Sequence, residues 1–376
     1  MKLLCEKMRG GDLLLLLLSC LTGVACGVYV VRMTDLFPDL FGDWYVRLPV
    51  FVLLCLLFYF VSIWLHEGGH LVFGLLSGYR FVSFRVFSLM LRKKDGKFSF
   101  CRYSIAGTAG QCLLAPPDGE RVPVTLYNLG GVLANAICAL LSLVGVLLSA
   151  EGTFLFESAR FFFALHALAA LQNGIPLGGM IDNDGKNALS LARDAAARKA
   201  WTLLLRVNAA QNEGLRLREM PEEWFAPVAA PETSLGANAA VLFCNRKMDE
   251  GKFAEAYAAM QPLLSDAVPL PGVLRSLLRM DALFCTRMVD GLAPVTLTAA
   301  EDKILRAMPR FPSVLRTRYL LCCEAGDAAA AEKYRRTLSD LHRTYPYAGD
   351  LASEEENLAL YDAARHHVPP ATSLSV

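Results

Sequence analysis

Four long apolar runs constrain this chain more than any other feature of its sequence. Leu13 to Val31 is 19 residues without a charge, about 28 Å of helix and enough to cross a bilayer core. Lys2, Lys7 and Arg9 precede it as they would a signal peptide. The run is long for such a segment, however, and Tyr29-Val30-Val31 is a poor cleavage site, so a retained span is expected. A second run starts at Leu48, passes Leu65, meets His66-Glu67-Gly68-Gly69-His70 and continues to Leu76. A third extends from about Leu126 to Ala150. The fourth, Phe154 to Ile175, carries Glu157 and Arg160 near its start, one turn apart and able to pair.

The charges between these runs orient them. Residues 32–47 hold two arginines against three aspartates, whereas residues 78–125 hold eight basic residues against three acidic ones. The basic loop belongs inside. The expectation is therefore a multi-pass integral protein of a bacterial plasma membrane, with four spans and cytosolic N- and C-termini. Within the basic loop, Phe81 to Leu91 and Phe98 to Tyr103 flank Lys93-Lys94-Asp95-Gly96-Lys97, which reads as a β-hairpin with an Asp-Gly turn. Its apolar residues are expected to rest on the membrane surface or on neighbouring helices.

Charge density divides the chain. The first 185 residues contain 27 charged residues and the remaining 191 contain 46, so the apolar excess lies in the first half and the second has a soluble composition. The balance of +1 overall gives no reason to expect a nucleic-acid partner. The eleven cysteines are scattered without a C-x-x-C pair, which suits reduced thiols. After Gly185 the sequence is rich in Ala, Leu and Arg with helical periodicity, broken at Pro221, Pro227 and Pro231. Leu242-Phe243-Cys244, Leu283-Phe284-Cys285 and Leu321-Cys322-Cys323 recur at offsets of 41 and 38, looser than the tetratricopeptide period of about 34. The fold expected is mainly α: a polytopic helical membrane core over 1–185 with a small β-hairpin loop, a helical linker over 186–233, and a soluble tetratricopeptide-like α-helical tail over 234–376. Such a tail could bind a protein partner or act only as a helical cap.

His66 and His70 are four apart, so on a helix both imidazoles project from one face, and Glu67 beside them can reach a water on a shared metal. This is the H-E-x-x-H zinc pattern. Ionisable residues in an apolar span default to function, because a charged group at the bilayer centre costs about 2.5–3.5 kcal/mol. The bland alternative is a helix end whose histidines only hydrogen-bond near the interface. Catalytic zinc takes three protein ligands and leaves a fourth position open, so a third ligand must come from elsewhere on the same side of the membrane. Asn173-Gly174-Ile175-Pro176 ends the fourth span and Asp182-Asn183-Asp184-Gly185 follows. Loop charge puts both aspartates at the same membrane face as the histidines, although the segment alone could be a plain turn.

These residues resemble the site-2 proteases, zinc metalloproteases that cut within or beside membranes. His66-Glu67-Gly68-Gly69-His70 resembles the family's zinc helix, and Gly130-Gly131-Val132-Leu133-Ala134-Asn135 its Gly-Pro-x-x-Asn element, with Val132 where proline is usual. Asn173 to Pro176 followed by Asp184-Gly185 resembles its Asn-x-x-Pro…Asp-Gly element. The likeness spans about residues 45–190. It implies a Zn2+-dependent endopeptidase that cleaves transmembrane segments of protein substrates in the lipid bilayer. His66, His70 and Asp184 would be the ligands, with Asp182, nearer the usual distance from Pro176, as the alternative third ligand; His166 is a more distant candidate. Glu67 would move the proton, and Asn135 and Asn173 would position the substrate or its oxyanion. The loop hairpin would pair with an unwound substrate strand, with Gly107 and Gly110 permitting close approach. The competing reading is a non-catalytic membrane scaffold with a structural or vestigial zinc site and a partner-binding tail.

Overall fold

A computed structural model describes residues 10–36, 44–104, 108–119, 122–177, 182–225, 231–289 and 297–367. The chain is mostly helical, with one small antiparallel sheet. Helices α1 (Gly10–Leu36), α2 (Trp44–Leu76), α3 (Thr125–Leu148) and α4 (Phe154–Gly174) are long and apolar enough to cross a membrane, and they coincide with the four apolar runs. Strands β1 (Arg80–Val86), β2 (Leu89–Lys94), β3 (Lys97–Arg102) and β4 (Gly110–Ala115) lie between α2 and α3 in the sheet order β3-β2-β1-β4. The hairpin turn falls on Asp95 and Gly96, with φ values of 48° and 75°, as an Asp-Gly turn of the mirror-image type requires. Helix α5 (Asp184–Arg193) follows the fourth span.

The chain divides into two compact units, residues 1–90 with 104–195, and residues 91–103 with 196–376. In the first, α3 packs on α2 and α4, α1 packs on α4, and α5 packs on α3. Tyr29 and Met33 of α1, Phe51 and Cys55 of α2, and Phe161 and Leu165 of α4 form a shared apolar core. Tyr29 stacks on Phe161 with ring centroids 4.6 Å apart. Glu157 and Arg160 pair at 2.6 Å, so α4 carries its two charges as a neutralised couple. Strand β1 is buried along most of its length; it pairs with β4 in antiparallel register from Arg80 opposite Ala115 to Val86 opposite Gly110, while Phe84 packs on Trp64 of α2.

The helices of this unit bury the reverse of what a soluble helix buries. Helix α3 turns Tyr127, Asn128, Gly130, Gly131, Asn135 and Ala139 inward and leaves Leu140, Leu141, Leu147 and Leu148 outward, Leu148 at 83% exposure. Leucines on the outer face and small or polar residues on the inner one are the pattern of helices solvated by lipid, where close backbone approach and hydrogen bonds drive association.

The second unit holds α6 (Ala195–Glu213), α7 (Ser234–Asp249), α8 (Phe253–Met260), α9 (Gly272–Val289), α10 (Ala299–Ala307), α11 (Pro312–Glu324), α12 (Ala328–Asp340) and α13 (Ala348–His367). Sequential neighbours α7 and α8, α8 and α9, and α11 and α12 pack together, and alternate helices α9, α11 and α13 also touch in turn. The core is conventional: Cys244, Met260, Leu278, Phe284, Leu320 and Leu351 are closed off from solvent. The stretch 186–233, expected to be a helical linker, contains most of helix α5 and all of helix α6. The hairpin segment 91–103 clusters with these helices. Buried Asn212 donates to the Lys93 carbonyl at 2.6 Å, Arg92 donates to the Pro346 carbonyl, and Tyr103 packs edge-on against Tyr345 and Tyr347. Every described cysteine is free.

Candidate metal centre

The helical period of α2 puts His66 and His70 one turn apart on its inner face. Their Nε2 atoms lie 3.3 Å from each other. Asp184 reaches them from the first turn of α5, its Oδ2 3.2 Å from His66 Nε2 and 3.4 Å from His70 Nε2. Donors about 2.0–2.2 Å from a tetrahedral zinc stand about 3.3–3.6 Å apart. The three observed separations therefore match one face of such a tetrahedron, and the fourth corner is left to a non-protein ligand. Among the described residues these three are the group of His, Cys, Asp and Glu that could hold a metal ion.

Protonation supports the same reading. His70 Nδ1 lies 2.7 Å from the Tyr127 carbonyl oxygen, which can only accept, so the ring proton sits on Nδ1 and Nε2 presents a bare lone pair. Asp184 Oδ2 is buried without a well-aligned hydrogen bond, a costly arrangement unless a cation takes its lone pair. The donor set of two imidazoles and one carboxylate fits zinc.

Asn135 holds the other imidazole of the cluster. It is fully buried, with Nδ2 2.9 Å from His66 Nδ1 and Oδ1 2.9 Å from His166 Nδ1. Ligation through His66 Nε2 puts the ring proton on Nδ1. The same amide serves that tautomer when turned end for end, with Oδ1 accepting from His66 and Nδ2 donating to His166. His166 is thus not a ligand but the far end of a His66–Asn135–His166 chain, itself closed off from solvent.

Glycines allow the helices to come this close. A Cβ on Gly131 would lie 2.4 Å from His66 Cε1 and 2.6 Å from His70 Nε2. Gly69 and Gly130 face each other across α2 and α3, and a Cβ on either would meet the other's carbonyl oxygen within 2.6 Å. Gly110 opens β4 directly against Glu67, whose Oε1 would be 2.3 Å from any Cβ there. Glu67 therefore sits one residue from a ligand and against the first residue of an edge strand. Gly107, singled out with Gly110 in the sequence, lies outside the described residues.

Of the two aspartates, the structure brings Asp184 to the histidines and leaves the Asp182 side chain outside the cluster. The reason is a helix cap that sequence reasoning passed over. Asn183 is the N-cap of α5, its Oδ1 accepting from Lys186 N at 2.9 Å and from Leu177 N at 3.2 Å. Its Nδ2 donates to the Gln172 and Ile175 carbonyls at 2.8 and 2.7 Å, tying the end of α4 to the start of α5. With Asn183 as the cap, Asp184 is the first helical residue and Asp182 precedes the helix. The strong preference of Asn for that position was the available signal. Asn173 is not in the cluster; its amide donates back to the Ala169 carbonyl at 3.0 Å.

Compared with protein-family models, curated proteins and solved structures, the chain matches none.

Proposed function

We propose that this chain is a zinc-dependent endopeptidase that cuts transmembrane segments of other membrane proteins. The observation that carries the reading is the His66, His70 and Asp184 donor triangle with tetrahedral edge lengths and Glu67 beside it. Zinc held there would supply the Lewis acidity that acidifies a water toward a pKa of about 7 and polarises a carbonyl. The chain's own residues do the rest. Glu67 accepts the proton of the attacking water on its carboxylate and delivers it to the departing amine nitrogen. Tyr127 and Asn135 fix the two imidazole rings. Strand β4 is an outer strand of the sheet among the described residues and packs on α2, and it begins beside Glu67. An extended substrate segment adding to that edge would run past the catalytic carboxylate. In the topology favoured by loop charge, both termini and the metal centre lie at the cytosolic face, and the helical second unit, read as a tetratricopeptide-like array, would engage a protein partner.

The test is Glu67→Gln. The variant is expected to retain zinc and to lose cleavage by about 10²–10⁴-fold, the usual worth of a positioned acid–base group. Proteomes of cells carrying the wild-type and variant chains would then differ in membrane proteins that accumulate uncut. Unchanged cleavage would remove Glu67 from its role. Stoichiometric zinc with no cleavage difference between the two proteomes would favour a scaffold with a structural metal.

A further inference from the structure

The second unit contains a cavity of about 180 Å³ that the proposed peptidase chemistry does not use. It lies among α6, α7, α9, α11 and α13, with Val241, Leu274, Leu277 and Phe311 on its apolar walls. A void of about 150 Å³ accommodates one benzene, so this one has room for a short alkyl stem with a polar head. The polar wall is acidic. Arg316, 2% exposed, spans two carboxylates: its guanidinium donates to Asp281 from one nitrogen and to both oxygens of Glu354, at 3.0 and 2.8 Å, from another. The same guanidinium stacks on the Phe284 ring at 4.7 Å. Asp350, also on the wall, has only neutral partners, Gln211 Nε2 at 2.8 Å and the Tyr345 hydroxyl at 3.3 Å. Asp249 is already claimed by Arg216.

Of the three carboxylates Asp281, Glu354 and Asp350, the one guanidinium thus meets the first two, and charge balance at the cavity is left to protons or to something that enters it. Burial pushes Glu354 up to about 7 and Asp350 up to about 6, the direction expected where anions outnumber their counter-ions in a low-dielectric site. A second observation is independent of charge. Asn357 of α13 lines the same cavity and is 3% exposed, and its side-chain amide makes no hydrogen bond among the described residues. Its amide is not sealed within the packing either. An amide on so buried a residue, unpaired within the protein and open to the cavity, is available to a polar group that enters it.

We infer that this cavity binds an organic cation, an alkylammonium or guanidinium group on a short apolar stem, whose head lies beside Glu354 and Asp350 and donates to Asn357 Oδ1. The same head group occurs on free amines and on lysine or arginine side chains of a polypeptide. The stem lies along the apolar wall, where each buried methylene adds about fourfold in affinity.

The full chain in detergent micelles is titrated calorimetrically with n-butylammonium, with agmatine and with a short peptide carrying one internal lysine, and with n-butanol as the neutral counterpart. At least one cation is expected to bind saturably, with n-butanol about tenfold weaker or worse. Asn357→Leu and Asp350→Asn, each checked for unchanged helical circular dichroism, are expected to weaken that cation by about tenfold, the usual cost of losing a charged hydrogen-bond partner. Binding of the small amines assigns the site to a free ligand, and binding of the peptide alone assigns it to a protein segment. Absence of saturable binding by all three cations would overturn the inference. So would n-butanol binding as tightly as n-butylammonium, or cation binding that neither variant weakens.

Discussion

Helix α3 of the first unit and helix α9 of the second are both largely apolar in their buried or lipid-facing surfaces, yet they use apolar residues in opposite ways. Helix α3 encloses Asn128, Gly130, Gly131 and Asn135 and turns leucines outward. Helix α9 encloses Leu278, Met280, Phe284 and Cys285. In the first unit, burial holds polar groups and bare backbone close together; in the second, it removes apolar surface from water. Each unit nevertheless seals in one charged constellation. The first brings two imidazoles and a carboxylate to a common point suited to a cation. The second sets Arg316 against Asp281 and Glu354 and leaves Asp350 without a cationic partner among the described residues. One cluster holds no resident cation among the described residues, and the other holds one that covers only part of its negative charge.

That contrast is broken most directly at the ligands. Asp184→Ala is expected to bring zinc in the purified protein from stoichiometric to background, whereas Asp182→Ala leaves it stoichiometric, as read by elemental analysis. The reverse result would detach the metal from α5 and leave the two clusters alike. The corresponding change in the second unit is Arg316→Met. It strands two buried carboxylates, and breaking a buried pair from one side costs about 3–5 kcal/mol. Thermal unfolding followed by circular dichroism should show the helical unit melting well below wild type, with zinc content unchanged.

A smaller effect separates ligands from the groups that hold them. Asn135→Leu removes the amide between His66 and His166 while leaving all three donors in place. Loss of such a supporting hydrogen bond typically weakens metal affinity by about 10–100-fold, measurable by competition with a chelating dye. An affinity equal to wild type would mean that ring orientation is set by the packing of α2 on α3 alone.

How far these features can be read from sequence differs between the units for a physical reason. The four spans and the His66–His70 pair are encoded locally, by run length and by a spacing of four on a helix. The hairpin turn at Asp95-Gly96 is equally local. The choice of Asp184 over Asp182 depended on where α5 begins, and Asn183 marks that start in the sequence to a reader who weighs caps. Gly131 was visible as part of a motif, but its steric reason needs the position of both imidazoles. The grouping of residues 91–103 with the second unit could not be read at all. It rests on Asn212, Pro346 and Tyr345, which lie far along the chain, and no periodic pattern encodes contacts of that range. The cavity has the same origin, since its wall is assembled from residues of five helices spread from Gln211 to Asn357.

The least of the expected effects is a pH dependence that belongs to the second unit. Glu354 holds its proton up to about 7, against an ordinary value of 4.5, and Asp350 up to about 6, against 3.8. Both are therefore protonated more readily folded than unfolded. Their contribution to stability is complete below the ordinary carboxylate range and is lost as pH rises through the folded values. Burial also raises Asp281, against the pull of Arg316, so its contribution has the same sign. Glu250 runs the other way: burial raises it, but Lys252, Arg246 and Lys247 together outweigh that and hold it at about 2. Its contribution is lost only as pH falls below the ordinary range, outside the window in question. Raising pH from about 5.5 to 7 should therefore lower the stability of the helical unit by the order of 1 kcal/mol, seen as a falling melting temperature. Glu354→Gln, which fixes the neutral form, should flatten that slope. A slope that persists in the variant would move the titration to Asp350, the carboxylate at the cavity wall without a cationic partner.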